Sequence, residues 1–429
     1  MAQQNDLQNL GLNAEAQQLI RRFQANHLNQ EQYRNFRSMM AASPKLIDDF
    51  NLAAKLGIIK ELTPVTGSNA GGSYSPDDNS LSIPLSRFDN ANFGMKEMFN
   101  QIFVMAHETR HAFNNLPNNS EYEKAKDAFL AAAQKETSKP YPLRDNNAPL
   151  SEYIAFFRKD EAQAQVAGAN AVISAMLNFN ITPDAANFQK YLPNKTAGFF
   201  IDANRKPPVF KSGYYQSNST NPYLDEGDLR VLETAAQNYY DLPPAGTGFE
   251  FCPSTGTKSD YVNAQIIYPL SMSVSYDLQA KDQVPSRQGE PFKLNMRDFA
   301  VRKIDGSGYV HFKLDAKLIS ENGLQIKHTL PNREKIDFIN YLDTGSGQTG
   351  TLKHDTCSQQ QQQSQQLQQK HPFSVLSPEH NAALKKLLPS ADAKAEQENA
   401  APQKPQTAPS AKQEKEEDEP IPPSLDMDL

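Results

Sequence analysis

The sequence predicts an α+β protein, and three features of its residue pattern lead to that class. Residues 5–60, and most of residues 92–178, carry apolar side chains at helical spacing. Residues 71–86 contain a turn cluster followed by alternating apolar positions, which is the pattern of a β-hairpin. Between residues 261 and 342 the apolar spacing changes to two, which predicts further strands.

The composition indicates a chain that is only partly folded and that does not bind nucleic acid. The chain has 429 residues, a net charge of −7 and no basic stripe. Its hydrophobic content of 38% and its mean hydropathy of −0.66 are low for a chain that is globular throughout. No stretch of 18 apolar residues exists, so we expect no membrane span.

The first 60 residues predict a helical N-terminal preface. Asn29 can cap a helix, and Ser43 followed by Pro44 supplies a second cap and a proline in the first turn. The polar N-terminus lacks the basic and apolar regions of a signal peptide. The two cysteines, Cys252 and Cys357, do not form a disulfide framework, which suits a protein made in the cytoplasm.

The hairpin is centred on the turn cluster at residues 76–79. Leu81, Ile83 and Leu85 then alternate with polar residues or proline, so the second arm should be half-buried. Pro84 cannot donate a ladder hydrogen bond, which predicts that residues 80–86 form an edge strand.

A long buried helix should follow over residues 92–115, because apolar side chains surround most of its circumference. Further helices are predicted over residues 121–136, 150–178 and 228–240. Together with the hairpin, they form a predicted domain over residues 61–245.

A separate β-rich domain is predicted over residues 246–345. Asp305-Gly306 and Asn322-Gly323 are hairpin turn pairs, next to strand-like runs at residues 309–314 and 324–329. The remaining residues, 346–429, should form a disordered Gln-rich and acidic tail, in which nine of the thirteen residues 358–370 are Gln.

The buried helix carries His107, Glu108 and His111 in an HExxH pattern. Histidines four residues apart lie on one face of a helix, so both imidazoles can bind one Zn²⁺ at about 2.0–2.1 Å. Glu108 then lies beside the metal as a candidate catalytic base, because zinc lowers the pKa of a bound water toward about 7. Burying polar side chains costs free energy, so the presence of three of them on so apolar a helix favours a role in metal binding.

A catalytic zinc site needs a third protein ligand and an open position. Glu161 is the leading candidate, and Asp160 and Glu152 are the alternatives. On the predicted helix, the face that carries Glu161 is otherwise lined by small residues, which would let a second helix approach closely. These residues are Ala164, Gly168, Ala171 and Ala175.

From about residue 71 to residue 175 the chain resembles zincin metallopeptidases of the gluzincin type, whose HExxH motif is followed by a downstream Glu. The matching residues are His107, Glu108, His111 and Glu161. The resemblance implies a zincin-like catalytic domain that hydrolyses a protein substrate, with the substrate added as a strand along residues 80–86. A second residue usually polarises the scissile carbonyl in this chemistry, and the sequence leaves four candidates open: Arg110, Tyr153, Tyr214 and Tyr215.

The acidic block at residues 414–419 resembles the C-terminal signals of bacterial effector proteins. That resemblance implies a partner in a secretion machinery and action inside a host cell. Two alternatives stay open at this point. One is a binding or scaffold protein with an inactive HExxH helix, and the other is a precursor that cleaves itself.

Overall fold

In this computed structural model of the chain, the described residues run from 5 to 353. The segments outside the description are residues 66–70, 92, 117–120, 138–144, 216–220, 242–249, 253–256, 259–260, 284–288, 322–323, 325 and 327–337. Helices predominate and short strands occur in both halves of the chain, which confirms the α+β class. None of the helices in this part of the chain has the length and apolarity that a membrane span needs.

The N-terminal residues are helical, as predicted. Their elements are α1 (Asn5–Gln8), α2 (Ala14–His27), α3 (Gln30–Ala42) and α4 (Pro44–Leu56). Asn29 accepts a hydrogen bond from the Gln32 backbone N–H, and the Gln32 side chain accepts one from the Asn29 N–H, which completes a capping box. Ser43 caps α4 through a single hydrogen bond, which its hydroxyl accepts from the Leu46 backbone N–H, and Pro44 is the first helical residue.

The first sheet contains β1 (Glu61–Pro64), β2 (Ser73–Ser75) and β3 (Ser80–Ile83) in the order β1-β3-β2. The β2–β3 hairpin was predicted correctly. The prediction that residues 80–86 form an edge strand is wrong, because β1 pairs with β3 in parallel on the other side. Pro84 removes no ladder bond, since it follows the strand and precedes a single 3-10 turn, Leu85–Phe88. The edge strand next to the HExxH helix is therefore β2.

The helices α5 (Met95–Asn114) and α7 (Asn147–Asn178) pack against each other, and α6 (Glu121–Thr137) packs on α7. A Cβ placed on Gly168 of α7 would lie 2.8 Å from the Phe103 ring and 3.0 Å from the Phe103 backbone oxygen. The small-residue face of α7 thus lets the two backbones approach closely, as the sequence predicted.

Short elements connect α7 to the second half of the chain. They are α8 (Ala185–Tyr191), α9 (Asn194–Phe200), the antiparallel pair β4 (Ile201–Asp202) and β5 (Val209–Phe210), and α10 (Leu229–Asn238). Asp228 caps α10 by accepting a hydrogen bond from the Arg230 N–H.

The second half contains both strands and helices. Its elements are β6 (Glu250–Cys252), β7 (Thr257–Lys258), α11 (Tyr261–Gln265), α12 (Ile267–Gln283), β8 (Phe292–Leu294), β9 (Phe299–Arg302), β10 (Tyr309–Phe312), α13 (Ala316–Glu321), β11 (Phe338–Asp343) and β12 (Thr349–Lys353). β11 lies between β12, which is antiparallel to it, and β8, which is parallel.

Two predictions for this half need correction. Strands were expected from residue 261 onward, but residues 261–283 are almost entirely helical. The buried residues of this segment recur every four positions, which is a helical spacing that the prediction of strands did not take into account. They are Val262, Ile266, Leu270 and Val274. The disordered tail was expected to begin at residue 346, but β12 is ordered because its backbone pairs with β11.

The β9–β10 hairpin was predicted correctly, with Gly306 at a φ of 73° in its turn. The predicted turn at residues 322–323, most of the predicted strand at 324–329, and residues 354–429 lie outside the described residues. Apart from the start of the tail, the predicted domain boundaries stay predictions.

One core joins the two halves of the described chain. Buried side chains of α6 and α7 pack with those of the second-half strands and helices in a single cluster, which includes Phe129, Tyr153, Ile154, Phe292, Phe299 and Leu352. The N-terminal part of α7 therefore serves this core, whereas its middle part packs on α5.

Candidate metal centre

His107, His111 and Glu161 converge on one point between α5 and α7. The Nε2 atoms of the two histidines are 3.1 Å apart. Oε2 of Glu161 lies 3.5 Å from Nε2 of His107 and 3.8 Å from Nε2 of His111. A point equidistant from these three atoms lies about 2.0 Å from each, which is the length of a bond from Zn²⁺ to imidazole nitrogen or carboxylate oxygen. The group could hold a metal ion.

The burial of this cluster is a second sign that it suits a cation. The side chains of His107, His111 and Glu161 are only 9%, 14% and 13% exposed. Oε2 of Glu161 and Nδ1 of His107 are buried and have no hydrogen-bond partner. A buried carboxylate oxygen without a hydrogen-bonding donor is costly, and a metal ion at the convergence point would remove that cost for Oε2.

Asp160 lies behind His111 and away from the convergence point. Its Oδ2 is 2.9 Å from Nδ1 of His111, and its Oδ1 accepts a hydrogen bond of 2.6 Å from the Asn114 side-chain amide. Engaging Nδ1 directs Nε2 of His111 toward Glu161, which is how carboxylates commonly orient metal-binding histidines. The structure thus gives Asp160 an orienting place instead of the ligand place considered as an alternative.

The charge around His111 favours a positive group. Burial on its own lowers the pKa of His111, but the carboxylates of Asp160, Glu161 and Glu108 outweigh it and raise the pKa to about 10. The same carboxylates would also stabilise a metal cation bound between the two histidines and Glu161.

The other alternative ligand, Glu152, lies nine residues before Glu161 on α7, which is about 13 Å along the helix axis at a rise of about 1.5 Å per residue. Its side chain is exposed. Of the three acidic residues considered from the sequence, the structure brings only Glu161 to both imidazoles.

Glu108 lies on the side of α5 that faces strand β2. A Cβ placed on Gly72, just before that strand, would be 3.4 Å from Cγ of Glu108. Glu108 is half-buried, and its carboxylate is close enough to His111 to contribute to the raised pKa of that histidine.

The structure places the two tyrosine candidates at 214 and 215 in other hydrogen bonds. The Tyr214 hydroxyl donates to the backbone oxygen of Phe199 at 3.1 Å, and the Tyr215 hydroxyl donates to that of Pro222 at 2.9 Å. Burial raises the pKa of both phenols, to about 12 for Tyr215.

The remaining two candidates also have partners elsewhere. Tyr153 is 2% exposed within the core of the second half, where its ring packs on Phe129 and Phe157. Arg110 pairs with Glu226, with 3.3 Å between Nη1 and Oε2. The geometry does not bring any of the four sequence candidates to the convergence point.

Sequence reasoning missed Tyr239, which immediately follows α10. Its ring packs edge-on against His107, with 6.1 Å between ring centroids, and against Phe199 at 4.9 Å. The chain pattern placed Tyr239 at the end of a predicted helix but held no signal for its tertiary neighbour.

It also missed the buried ion-pair cluster that fixes α10. Arg158 is fully buried on α7, one turn before Glu161. It makes two hydrogen bonds to Glu233, of 2.6 and 2.8 Å, and two to Asp241, of 2.8 and 2.7 Å. Glu233 also accepts a hydrogen bond of 2.9 Å from the Ile304 backbone N–H. Tyr239 lies between the two carboxylates in sequence, so this cluster holds it close to His107.

No family model matches the chain, and comparison with curated proteins and with solved structures also found no match. The interpretation of the site therefore depends on its own residues and geometry.

Proposed function

We propose that this protein is a zinc-dependent endopeptidase of the gluzincin type that hydrolyses peptide bonds of a protein substrate. One observation carries the proposal. Two imidazole nitrogens of an HExxH helix and one carboxylate oxygen of a second helix surround a point about 2.0 Å from each, with Glu108 alongside.

The donor set favours zinc among the common metals. Two neutral imidazoles and one carboxylate are a frequent ligand set of catalytic zinc, and they leave a coordination position open. Mg²⁺ and Ca²⁺ prefer sites made of oxygen ligands only. Asp160 supports the assignment, because it fixes the ring of His111 through the nitrogen that does not face the site.

His107, His111 and Glu161 would hold Zn²⁺, and its Lewis acidity would polarise a substrate carbonyl and make a nearby water easier to deprotonate. Glu108 accepts the proton of the attacking water on its carboxylate and then donates it to the leaving amine nitrogen. Its place between the histidines and β2 is suited to both transfers.

The edge strand indicates how a substrate would lie. β2 pairs with β3 on one edge and has no strand partner on the other edge among the described residues, and it packs near the HExxH helix. An extended peptide could add to that edge through main-chain hydrogen bonds, with Glu108 beside it. This arrangement favours an unfolded or loop segment as substrate. Export into a host cell through the acidic tail stays a hypothesis that depends on sequence composition.

The test combines metal content with cleavage. Wild-type protein purified without chelators should hold about one zinc per chain, and H107A should lose it. H311A is the matched control, because His311 is exposed on β10 and should leave zinc content unchanged. E108Q should keep zinc and fold, but its cleavage of a peptide library, followed by mass spectrometry, should fall by several orders of magnitude.

Two results would contradict the proposal. One is a wild-type protein that neither contains zinc nor takes it up. The other is E108Q protein that cleaves the library as fast as the zinc-loaded wild type, which would indicate a contaminating peptidase or a different site.

A further inference from the structure

The backbone at Gly72 passes unusually close to the HExxH helix. A Cβ at this position would lie 2.8 Å from Cγ1 of Val104 and 3.2 Å from the backbone oxygen of Ser82. Ordinary contacts between carbon atoms are about 3.5–4.0 Å, so a side chain does not fit without movement. The φ angle of Gly72 is not positive, so the constraint here is space and not backbone conformation.

The neighbours of Gly72 cannot easily yield. Val104 is β-branched and lies inside α5, where one χ1 rotamer strongly predominates. The Ser82 oxygen belongs to β3, the central strand of the sheet. An added methyl group would therefore displace the segment at Gly72 away from α5, or push Val104 and its neighbours on α5.

Glu108 is the third neighbour of that gap and lies one helical turn after Val104. Its Cγ is 3.4 Å from the position that a Cβ on Gly72 would take, which is contact without overlap. The backbone at Gly72 thus forms a wall beside the stem of Glu108. Any change in the spacing between this segment and α5 alters the space in which the Glu108 carboxylate is held.

We propose that Gly72 is a positioning residue for Glu108. Its missing side chain sets the spacing between the start of β2 and the HExxH helix, and this spacing holds the general base in place relative to a peptide bound on β2. The inference depends on the proposed peptidase function. It goes beyond that function by assigning a role to a residue outside the HExxH motif and its ligands.

The test is a cycle of four proteins: wild type, G72A, V104A and G72A/V104A. G72A should keep zinc and substrate KM within about twofold of wild type, while kcat falls at least about tenfold, since small misplacement of a catalytic group is costly. V104A removes the methyl group that overlaps most, so the double variant should recover kcat to within about threefold of V104A. G94A is the matched glycine control, because a Cβ on Gly94 meets no atom within 4 Å.

Thermal unfolding of the same four proteins measures the steric contact between residues 72 and 104 and does not require enzymatic activity. G72A should lower the melting temperature, and V104A should reduce that loss when the two are combined. If G72A does not fold, V104I tests the same gap from the helix side and should lower kcat without loss of zinc.

The outcomes separate the two proposals. An active wild type whose kcat is unchanged by G72A, or a double variant that recovers nothing, would overturn the role of Gly72 and leave the peptidase proposal standing. A zinc-free or inactive wild type would overturn both, even if the unfolding cycle shows that Gly72 and Val104 are coupled.

Discussion

The close approach of α5 and α7 makes Gly168 a sensitive point of the proposed metal centre. In G168A the new methyl carbon would meet the Phe103 ring at 2.8 Å and the Phe103 backbone oxygen at 3.0 Å. Reaching an ordinary contact of about 3.5 Å requires roughly 0.7 Å of separation. Phe103 cannot absorb this movement alone, because its ring packs on His107 at 6.0 Å and its backbone belongs to α5.

Two effects of G168A oppose each other in the free energy of unfolding. Overpacking of this kind costs about 1–3 kcal/mol, and replacing a glycine inside a helix with alanine returns about 1 kcal/mol. We therefore expect a net loss of up to about 2 kcal/mol. A 0.7 Å shift of Glu161 would also lengthen its bond to zinc well beyond 2.0–2.2 Å, so zinc affinity should fall on the order of tenfold or more.

Urea unfolding and chelator competition for zinc measure the two quantities. G198A is the matched control, because Gly198 lies in helix α9 and a Cβ there meets no atom within 4 Å. G198A should be as stable as wild type or slightly more stable, with unchanged zinc affinity. A G168A protein that behaves like G198A in both assays would refute the packing argument.

Two further predictions concern residues around the site. D160N should lower zinc affinity about 10–100-fold, because it weakens the group that orients His111, whereas E152Q on the same helix should have no effect; equal affinities in chelator competition would contradict this. The second concerns acid stability. Burial opposes ionisation of Glu233, but Arg158 and the Ile304 N–H hold its pKa below the usual 4.5. Its ionised form therefore stabilises the fold fully above about pH 4.5, and this stabilisation is lost as the pH falls through the lowered pKa of the folded state. The difference in unfolding free energy between wild type and E233Q should be constant near neutral pH and shrink below pH 4.5, and a difference that grows in acid would contradict the assignment.

Local signals in the sequence were sufficient for the parts of the fold that local physics controls. The caps at Asn29 and Ser43, the turn at Gly306 and the HExxH helix all follow from short patterns. The three residues that converge could be predicted from the sequence. The spacing of four residues between His107 and His111 indicates one helical face, and the small residues that follow Glu161 indicate a helix that packs closely.

Tertiary pairing explains what the sequence did not reveal. β3 is central because β1 returns to it in parallel, and no local feature of residues 80–86 reports that partner. Residues 261–283 were misread because a helix buried on one side can also satisfy a period of two over short windows. Tyr239 contacts His107 at the end of a helix that the Arg158 cluster ties to α7, and the carboxylates of that cluster lie far from Arg158 in the chain.

Helix α7 limits how far this protein can be shortened without loss of folding. Its first turns supply Leu150, Tyr153 and Ile154 to the core of the second half, and its middle turns supply Glu161 and the small face that meets α5. A single helix thus contributes side chains both to the core of the second half and to the packing against α5. A fragment ending near residue 245 would keep every residue of the metal centre and yet leave large apolar side chains in water on that helix. The shortest segment that contains the proposed metal ligands is therefore shorter than the shortest segment expected to fold.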